Sequence, residues 1–364
     1  MTPGSRFLGL LPALALAIAA CGSSSATAPT AASSPAAPAI SPAASSKPSP
    51  AASSAPLGAE KPSARLAGGD PSGYPIRVSY PSPAVSALYY YAALGQGFFA
   101  QQHLNVTMIQ MAQSVVIPAE TNGEIEFNDT APAAIEGATR GLPLRAILAT
   151  WSRAPWTVYG KAEFKSLQDL KGKNLGTNQV GSGPYLYLQA GLKRAGMAVT
   201  DLNIVSSPAT QDTYTFLLAG RVDAAVLSPP FDAEAAEQGF HEIQPLGDAL
   251  RLPFGGVGAN TAFISQHRPQ TVAFLRAMLD SGRWLKGHPT EAAAFVEKYV
   301  GVSHGPALRS AEKMVPLVTD NGEYPREAIQ AVVDSQAEIT QTTNKFTPEQ
   351  VVDYGPLHEA LGKS

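Results

Sequence analysis

Gly123-Glu124-Ile125-Glu126-Phe127-Asn128-Asp129-Thr130-Ala131-Pro132-Ala133 has an echo about a hundred residues later. There the chain reads Gly220-Arg221-Val222-Asp223-Ala224-Ala225-Val226-Leu227-Ser228-Pro229-Pro230. Gly, then Ile or Val, then an acid recur in register, and Pro132 aligns with Pro229. Each block follows a helical stretch, Val116 to Thr121 and Thr213 to Ala219. Each leads into another, Ala134 to Arg140 and Asp232 to Gln238. An apolar run ending in small, hydroxyl-bearing residues before a helix is the pattern of a buried strand delivering a loop.

The surroundings repeat as well. Ile76-Arg77-Val78-Ser79-Tyr80 alternates like a strand, Ala87 to Phe99 reads as a helix with an apolar face, and Leu104 to Ile109 as a second strand. In the second unit Lys173 to Thr177, Tyr185 to Ala195 and Leu202 to Val205 follow the same plan. Two strand–helix–strand units of one design predict an α/β protein with two similar lobes, the alternative being one doubly wound sheet. Leu144 to Trp151 and Thr157 to Tyr159 read as a strand-like passage between lobes, and the Gly-rich Gly247 to Thr261 as the return. Beyond it Pro269–Leu285, Glu291–Tyr299, Ala307–Val318, Pro325–Gln341 and Pro348–Leu361 read as helices packing mainly on lobe one, several with Pro near the first turn.

The N-terminal segment reads differently. Met1 to Cys21 carries one basic residue, Arg6, before an apolar run from Phe7 to Ala17 and then small residues. That is the layout of a secretory signal, and the run is short for a transmembrane helix of about 20 residues. Ile18-Ala19-Ala20-Cys21-Gly22 resembles a bacterial lipobox, which implies that Cys21 becomes a lipidated N-terminus; the plainer alternative is an ordinary secretory signal. Residues 22–59 hold only Ala, Ser, Pro, Thr and Gly apart from Ile40, Lys47 and Leu57. Such a stretch buries too little to offset its ordering entropy and reads as a tether. The resulting division is signal and lipobox over 1–21, tether over 22–73, the first part of lobe one over 74–155, lobe two over 156–250, and return crossing with C-terminal helices over 251–364. Folding is expected to begin near Tyr74.

The 364 residues include one Cys, 45% hydrophobic and 15% charged residues, with a net charge of −3. One Cys excludes an intramolecular disulfide framework and Cys-rich metal sites. Near-neutral charge gives no support for a nucleic-acid partner. Gly176 to Ser182 has the glycine spacing of a P-loop, but Ser182 stands where Lys is required. No H-E-x-x-H occurs, and the six His residues are scattered without a pair at helical spacing. This reading calls for no catalytic residue, no metal and no cofactor.

Ligands of open α/β sheets bind beyond the carboxyl ends of the strands, near helix N-termini. The candidate ligand-binding residues of lobe one are therefore Ser82, Pro83 and Ala84, Ser114 and Val115, and Asp129 and Thr130. Those of lobe two are Gly181, Ser182, Gly183 and Tyr185, and Ser228, Pro229 and Phe231. Trp156 and Asn260 complete the set at or near the passages between lobes. Small residues admit a ligand to backbone N–H groups, and hydroxyls add oriented hydrogen bonds. Ser182, Ser114 and Ser82 read equally as plain helix caps.

With these loops in place the chain resembles the extracytoplasmic substrate-binding proteins of ABC importers, of the nitrate/sulfonate/taurine (NitT/TauT) and thiamine-pyrimidine-precursor type. The carriers are Ala92-Ala93-Leu94-Gly95-Gln96-Gly97-Phe98-Phe99 with Leu104-Asn105-Val106, and Gly123 to Phe127. Gly141 to Ala146, Ser166 to Lys173, and Gly220 to Ala225 complete the ordered set. The resemblance implies a type II periplasmic-binding-protein fold whose two lobes close on a small molecule. It also implies delivery to a permease with a cytoplasmic ATPase, by a lipid-anchored extracytoplasmic monomer. An enzyme of the pyrimidine-synthase type on the same fold, and a ligand-sensing subunit for a membrane receptor, are the rival readings. The five strand-end segments contain no Lys or Arg, whereas a tightly held dianion usually draws Arg. Arg153 stands next to the first passage. Asp129 and Asp232 supply acceptors, and Tyr89, Trp151, Trp156, Tyr185 and Phe231 supply rings. These residues favour a neutral or weakly charged ligand with a flat ring.

Overall fold

The computed structural model describes residues 65–341 and 346–363. The expected signal and Cys21 lipobox, and residues 22–64 of the expected tether, lie outside the described residues. Lobe one is built from β1 (Leu66–Gly69), β2 (Tyr74–Tyr80), α1 (Leu88–Gly95), α2 (Phe98–Gln101), β3 (Leu104–Gln110), α3 (Gln113–Thr121), β4 (Phe127–Asn128), α4 (Ala131–Thr139) and β5 (Leu144–Leu148). Lobe two follows with β6 (Thr157–Gly160), β7 (Asn174–Asn178), α5 (Gly183–Arg194), β8 (Asn203–Ser207), α6 (Thr210–Leu218), β9 (Ala224–Leu227), α7 (Phe231–Glu237) and β10 (His241–Pro245). The chain returns to lobe one as β11 (Val257–Asn260). Helices α8 (Thr261–Gln266), α9 (Arg268–Gly287), α10 (Pro289–Val300), α11 (His304–Met314), α12 (Arg326–Thr340), α13 (Pro348–Val351) and α14 (Gly355–Ala360) complete it.

Inside its edge strand β1, the first sheet reads β3-β2-β4-β11-β5, and the second reads β8-β7-β9-β6-β10. These are the same order. In each sheet the fourth strand is the one the chain enters on crossing over, and it runs antiparallel to both neighbours. Val78 pairs with Phe127 in one sheet and Leu175 with Ala224 in the other, so the two registers differ by 97 residues at both positions. Helices α3 and α6 differ by the same 97 residues at both ends. The repeat read from the sequence is therefore a repeat of structure. Gly123 and Gly220 close the turn after α3 and α6 with φ of +74° and +67°, a conformation that costs glycine little and other residues more.

Alternation makes β2 half-buried: Ile76, Val78 and Tyr80 face the core while Pro75 and Arg77 face solvent. All four residues of β9 are buried, as befits a central strand covered on both faces. One face of the first sheet carries the larger core, with α1, α9, α10 and α11 against it; α4, α12 and α13 cover the other.

Several expectations need correction. The ordered chain begins before Tyr74, because Leu66–Gly69 pairs antiparallel with β3. Its Ala and Gly side chains carry no strand pattern, and the backbone pairing alone recruits them. The expected helix Ala87–Phe99 is broken near Gly97 into α1 and α2. The expected helix Pro348–Leu361 is two short ones. Between them Val352 bridges Ala146, and Asp353 N–H donates to the Ala146 carbonyl. Pro356 fits the first turn of the second helix, where its missing N–H costs no helical bond. Strand β10 was not anticipated. Among the described residues no helix is long and apolar enough to cross a membrane.

Candidate functional site

Two passages join the lobes, residues 149–156 and 246–256. Trp151 and Phe254 bridge them as antiparallel backbone, and Val318 pairs with Trp151 on its other side. Trp151 is fully buried, donates through Nε1 to the Ser86 carbonyl at 2.9 Å, and packs edge-on against Tyr89 at 5.0 Å. Tyr89 in turn donates to the Thr150 carbonyl at 2.7 Å. These two rings hold the first passage onto lobe one and do not belong to an open surface.

The strand-end loops of lobe one lie next to this anchor. Ser82, Pro83 and Ala84 precede the short turn Val85–Ala87, and Ala84 N–H donates to the Tyr91 hydroxyl at 3.2 Å. Ser114 and Val115 form the exposed first turn of α3, whose approach is fixed by Met111 N–H donating to the Tyr80 carbonyl at 3.0 Å. Asp129 leaves β4 with its N–H on the Ser79 carbonyl at 2.9 Å. Thr130 N–H donates to Asn128 Oδ1 at 2.7 Å, and Asn128 Nδ2 donates to Glu120 Oε2 at 2.6 Å. Ala131 N–H, at the start of α4, reaches the Gly256 carbonyl of the second passage at 3.3 Å.

Burial raises the Glu120 carboxyl to about 8, its Asn128 hydrogen bond pulling the other way. Burial likewise pushes the Asp129 carboxyl well above the usual carboxylate range. Asp129 is 5% exposed, and its carboxyl has no hydrogen-bond or ion-pair partner among the described residues. The Glu120 carboxyl is therefore protonated in the folded chain at mildly acidic pH.

In lobe two, Gly181, Ser182 and Gly183 lead into α5, and Tyr185 lies in its first turn. Ser182 sits at the N-cap position, yet its hydroxyl makes no capping bond. Its Oγ is buried without a partner. Trp156 stacks edge-on against Tyr187 at 5.0 Å and Phe254 at 5.4 Å. A Cβ placed on Gly183 would stand 2.5 Å from the Trp156 ring, so the glycine is what lets the indole lie against this loop. Ser228 and Pro229 precede α7, where Phe231 packs on Tyr214 at 5.7 Å.

Buried hydroxyls without a partner thus occur at the strand ends or first helices of both lobes: Ser79 and Tyr90 in one, Thr177 and Ser182 in the other. A natural core seldom leaves such groups unpaired away from a site of function.

Some expected residues are used otherwise. Asn260 caps α8 through Ala262 N–H at 2.8 Å, and its amide holds the Glu120 and Thr121 carbonyls. Asp232 is paired with Lys313 Nζ at 2.6 Å. Arg153 is paired with Asp248 at 2.7 Å on an exposed surface. Concavities of about 590 Å³, near Ser152, Lys286 and Asp320, and 290 Å³, near Arg153, Arg251 and Tyr324, flank the passages. Neither is lined by the strand-end loops. The sequence reading missed Glu120, Phe254, Tyr324 and Lys313. Only Glu120, an acid ending the apolar Val115–Ala119 run, carried a local signal. Among the described residues no group of three or more His, Cys, Asp or Glu is placed to hold a metal ion.

Two sheets of this shared order, joined by paired passages with helix N-termini facing the junction, define the type II periplasmic-binding-protein fold. The NMT1/THI5-like family model matches residues 85–292, and the chain belongs to that family. Solved structures share the fold at low identity. The aliphatic sulphonate binding protein SsuA of Escherichia coli is 16% identical, with TM-score 0.65, over 77% of this chain and 98% of its own. SsuA of Xanthomonas axonopodis pv. citri, bound to MOPS, is 16% identical with TM-score 0.62, over 78% and 99%. The desulfurization enzyme DszB is 14% identical with TM-score 0.60, over 79% and 99%. Among curated proteins the sequence finds no match.

Proposed function

We propose that this chain is the extracytoplasmic solute-binding protein of an ABC importer, capturing a small organic molecule between its lobes. The observation that carries the reading is that Ser79 in one repeated sheet, and Thr177 and Ser182 at the other's strand end and helix start, have buried hydroxyls without a partner, together with Asp129 and the Trp156 ring. Ligand contacts fall to Ser82–Ala84, Ser114, Val115, Asp129 and Thr130 from lobe one, and to Gly181–Gly183, Tyr185, Ser228 and Pro229 from lobe two. Trp156 contributes from the passage between them. Phe231 and Asn260 are better explained by packing and capping. Closure follows if the ligand binds the two lobes together more tightly than either alone. The structural neighbours named as sulfonate-binding proteins of transport systems support the transport role. Their ligand is not assigned to this chain: the strand-end segments here hold no Lys or Arg, so helix N-terminal N–H groups alone would have to hold a sulfonate.

The chain is held at the membrane through a lipid on Cys21 and acts as a monomer. Cys21→Ala is expected to move the protein from the membrane to the soluble fraction, or to leave it uncleaved; unchanged acylated protein contradicts the anchor. DszB gives the enzyme reading a specific footing, since it has this fold. Isothermal titration against a panel of small organic molecules and sulfonates, with a turnover assay on each binder, separates the two. Binding without product, lost in Ser182→Tyr and Thr130→Trp, supports the transport reading. Binding that survives both variants removes this cleft.

A further inference from the structure

Helix α11 belongs to lobe one by packing, yet one of its faces is devoted to lobe two. Ala307, Ala311 and Met314 are buried in the lobe-one core, and the helix also packs against the turn Val85–Ala87 that follows the first ligand loop. Gly305, Arg309 and Lys313 fall four residues apart and so share another stripe. That stripe runs along α7. A Cβ on Gly305 would meet Glu237 Oε1 at 2.5 Å. Arg309 Nη2 lies 2.6 Å from Glu237 Oε1 and donates to the Ala233 carbonyl at 3.3 Å. Lys313 Nζ lies 2.6 Å from Asp232 Oδ2, donates to Thr157 Oγ1 at 2.9 Å, and has Glu242 at 3.9 Å.

The two ion pairs are not equivalent. Arg309 and Glu237 are each more than 40% exposed, where such a pair contributes little. Asp232 is 2% exposed. Removing its partner leaves a buried charge uncompensated, which is the costly case. The carboxylate also lies one turn from Ser228, whose carbonyl accepts from Asp232 N–H at 3.3 Å. The contact therefore ties the helix behind lobe two's ligand loop to the helix behind lobe one's.

From this geometry we infer that α11 is a strap between the lobes. In it Lys313, seated on Asp232 and Thr157, is a positioning residue that sets how freely the lobes move about their two passages, without touching ligand. The inference rests on the two-lobed arrangement and not on the identity of the ligand, so it can fail while the proposed function stands.

Hydrogen–deuterium exchange on the full chain tests it without added ligand. Lys313→Met strands Asp232 and can disturb folding, so the double variant Asp232→Asn with Lys313→Met is the companion. Losing one buried pair is expected to speed exchange in the passages 149–156 and 246–256 by about fivefold or more. Exchange in β7 and α5 stays at the wild-type rate, and Lys313→Arg restores the passages. Unchanged exchange in the passages overturns the strap. Faster exchange through β7 and α5 as well, or failure of both variants to fold, also overturns it, because the pair then holds lobe two together and not the two lobes.

Discussion

The two lobes share a strand order and a register, and at the corresponding positions they differ in polarity. Leu217 stands in lobe two where lobe one has Glu120, Ala225 where it has Asn128, Val226 where it has Asp129, and Gly176 where it has Ser79. All four lobe-two residues are buried. One backbone plan therefore accepts an apolar set, and lobe one carries acids and an amide in its place. Asn128 and Glu120 hydrogen-bond each other, but the Asp129 carboxyl and the Ser79 hydroxyl are left buried without a partner among the described residues, an unfavourable state that points to a use there. Lobe two instead places its unpaired hydroxyls on the loop and strand leading to α5. The lobes are similar as scaffolds and different as binding surfaces.

Five substitutions break or sharpen this contrast. The largest effect is expected where each passage is anchored. Trp151→Ala empties a fully buried site on lobe one and is expected to cost about 3–5 kcal/mol in denaturant unfolding. Trp156→Ala, on the partly exposed lobe-two side, should cost roughly half that while removing ligand binding. Equal losses would mean that both indoles are plain core.

Glu120→Gln comes next. The folded carboxyl titrates near 8, above its unfolded value. The folded chain thus holds an extra proton over that interval, and wild-type stability falls as pH rises from about 4.5 to 8. The variant should lack that slope and gain on the order of 2 kcal/mol at pH 8 and above. Unfolding curves at pH 5, 7 and 8.5 check this, and a parallel slope in both proteins contradicts it.

Asp129→Val installs the lobe-two residue. It should raise stability by about 1 kcal/mol, since an unpaired buried carboxyl is removed, and abolish ligand capture. A stabilised variant that still binds would leave Asp129 without a role in recognition. The smallest effect is expected at Arg326 and Glu349, an ion pair with both partners more than 60% exposed. Arg326→Ala should change stability by less than about 0.5 kcal/mol, visible as an unmoved melting curve.

Local pattern made the repeat legible. The Gly-Ile/Val-acid blocks, the alternation of Ile76 to Tyr80 and the helices behind them depend on neighbours in sequence, and their ends shifted by only a few residues. Strand β1 was not legible because Leu66-Ala67-Gly68-Gly69 has no alternation and is recruited by the edge of β3. The strand-end loops were legible as places. The fate of individual side chains was not, because it depends on distant partners. Asp232 looked available until Lys313 arrived from 81 residues away. Trp151 and Tyr89 looked like cleft aromatics until each found a backbone carbonyl on the other's segment. Asn260 looked free until α3 and α8 claimed its amide.

The central claim is that the two unlike surfaces together hold one small organic molecule. Native mass spectrometry of the chain purified from its own host, compared with the Thr130→Trp and Ser182→Tyr variants, tests it most directly. The account predicts a one-to-one noncovalent adduct of a small organic molecule on the wild type, absent from either variant because each blocks a different lobe. The same adduct persisting in both variants, or its loss from one only, would contradict a shared interlobe site.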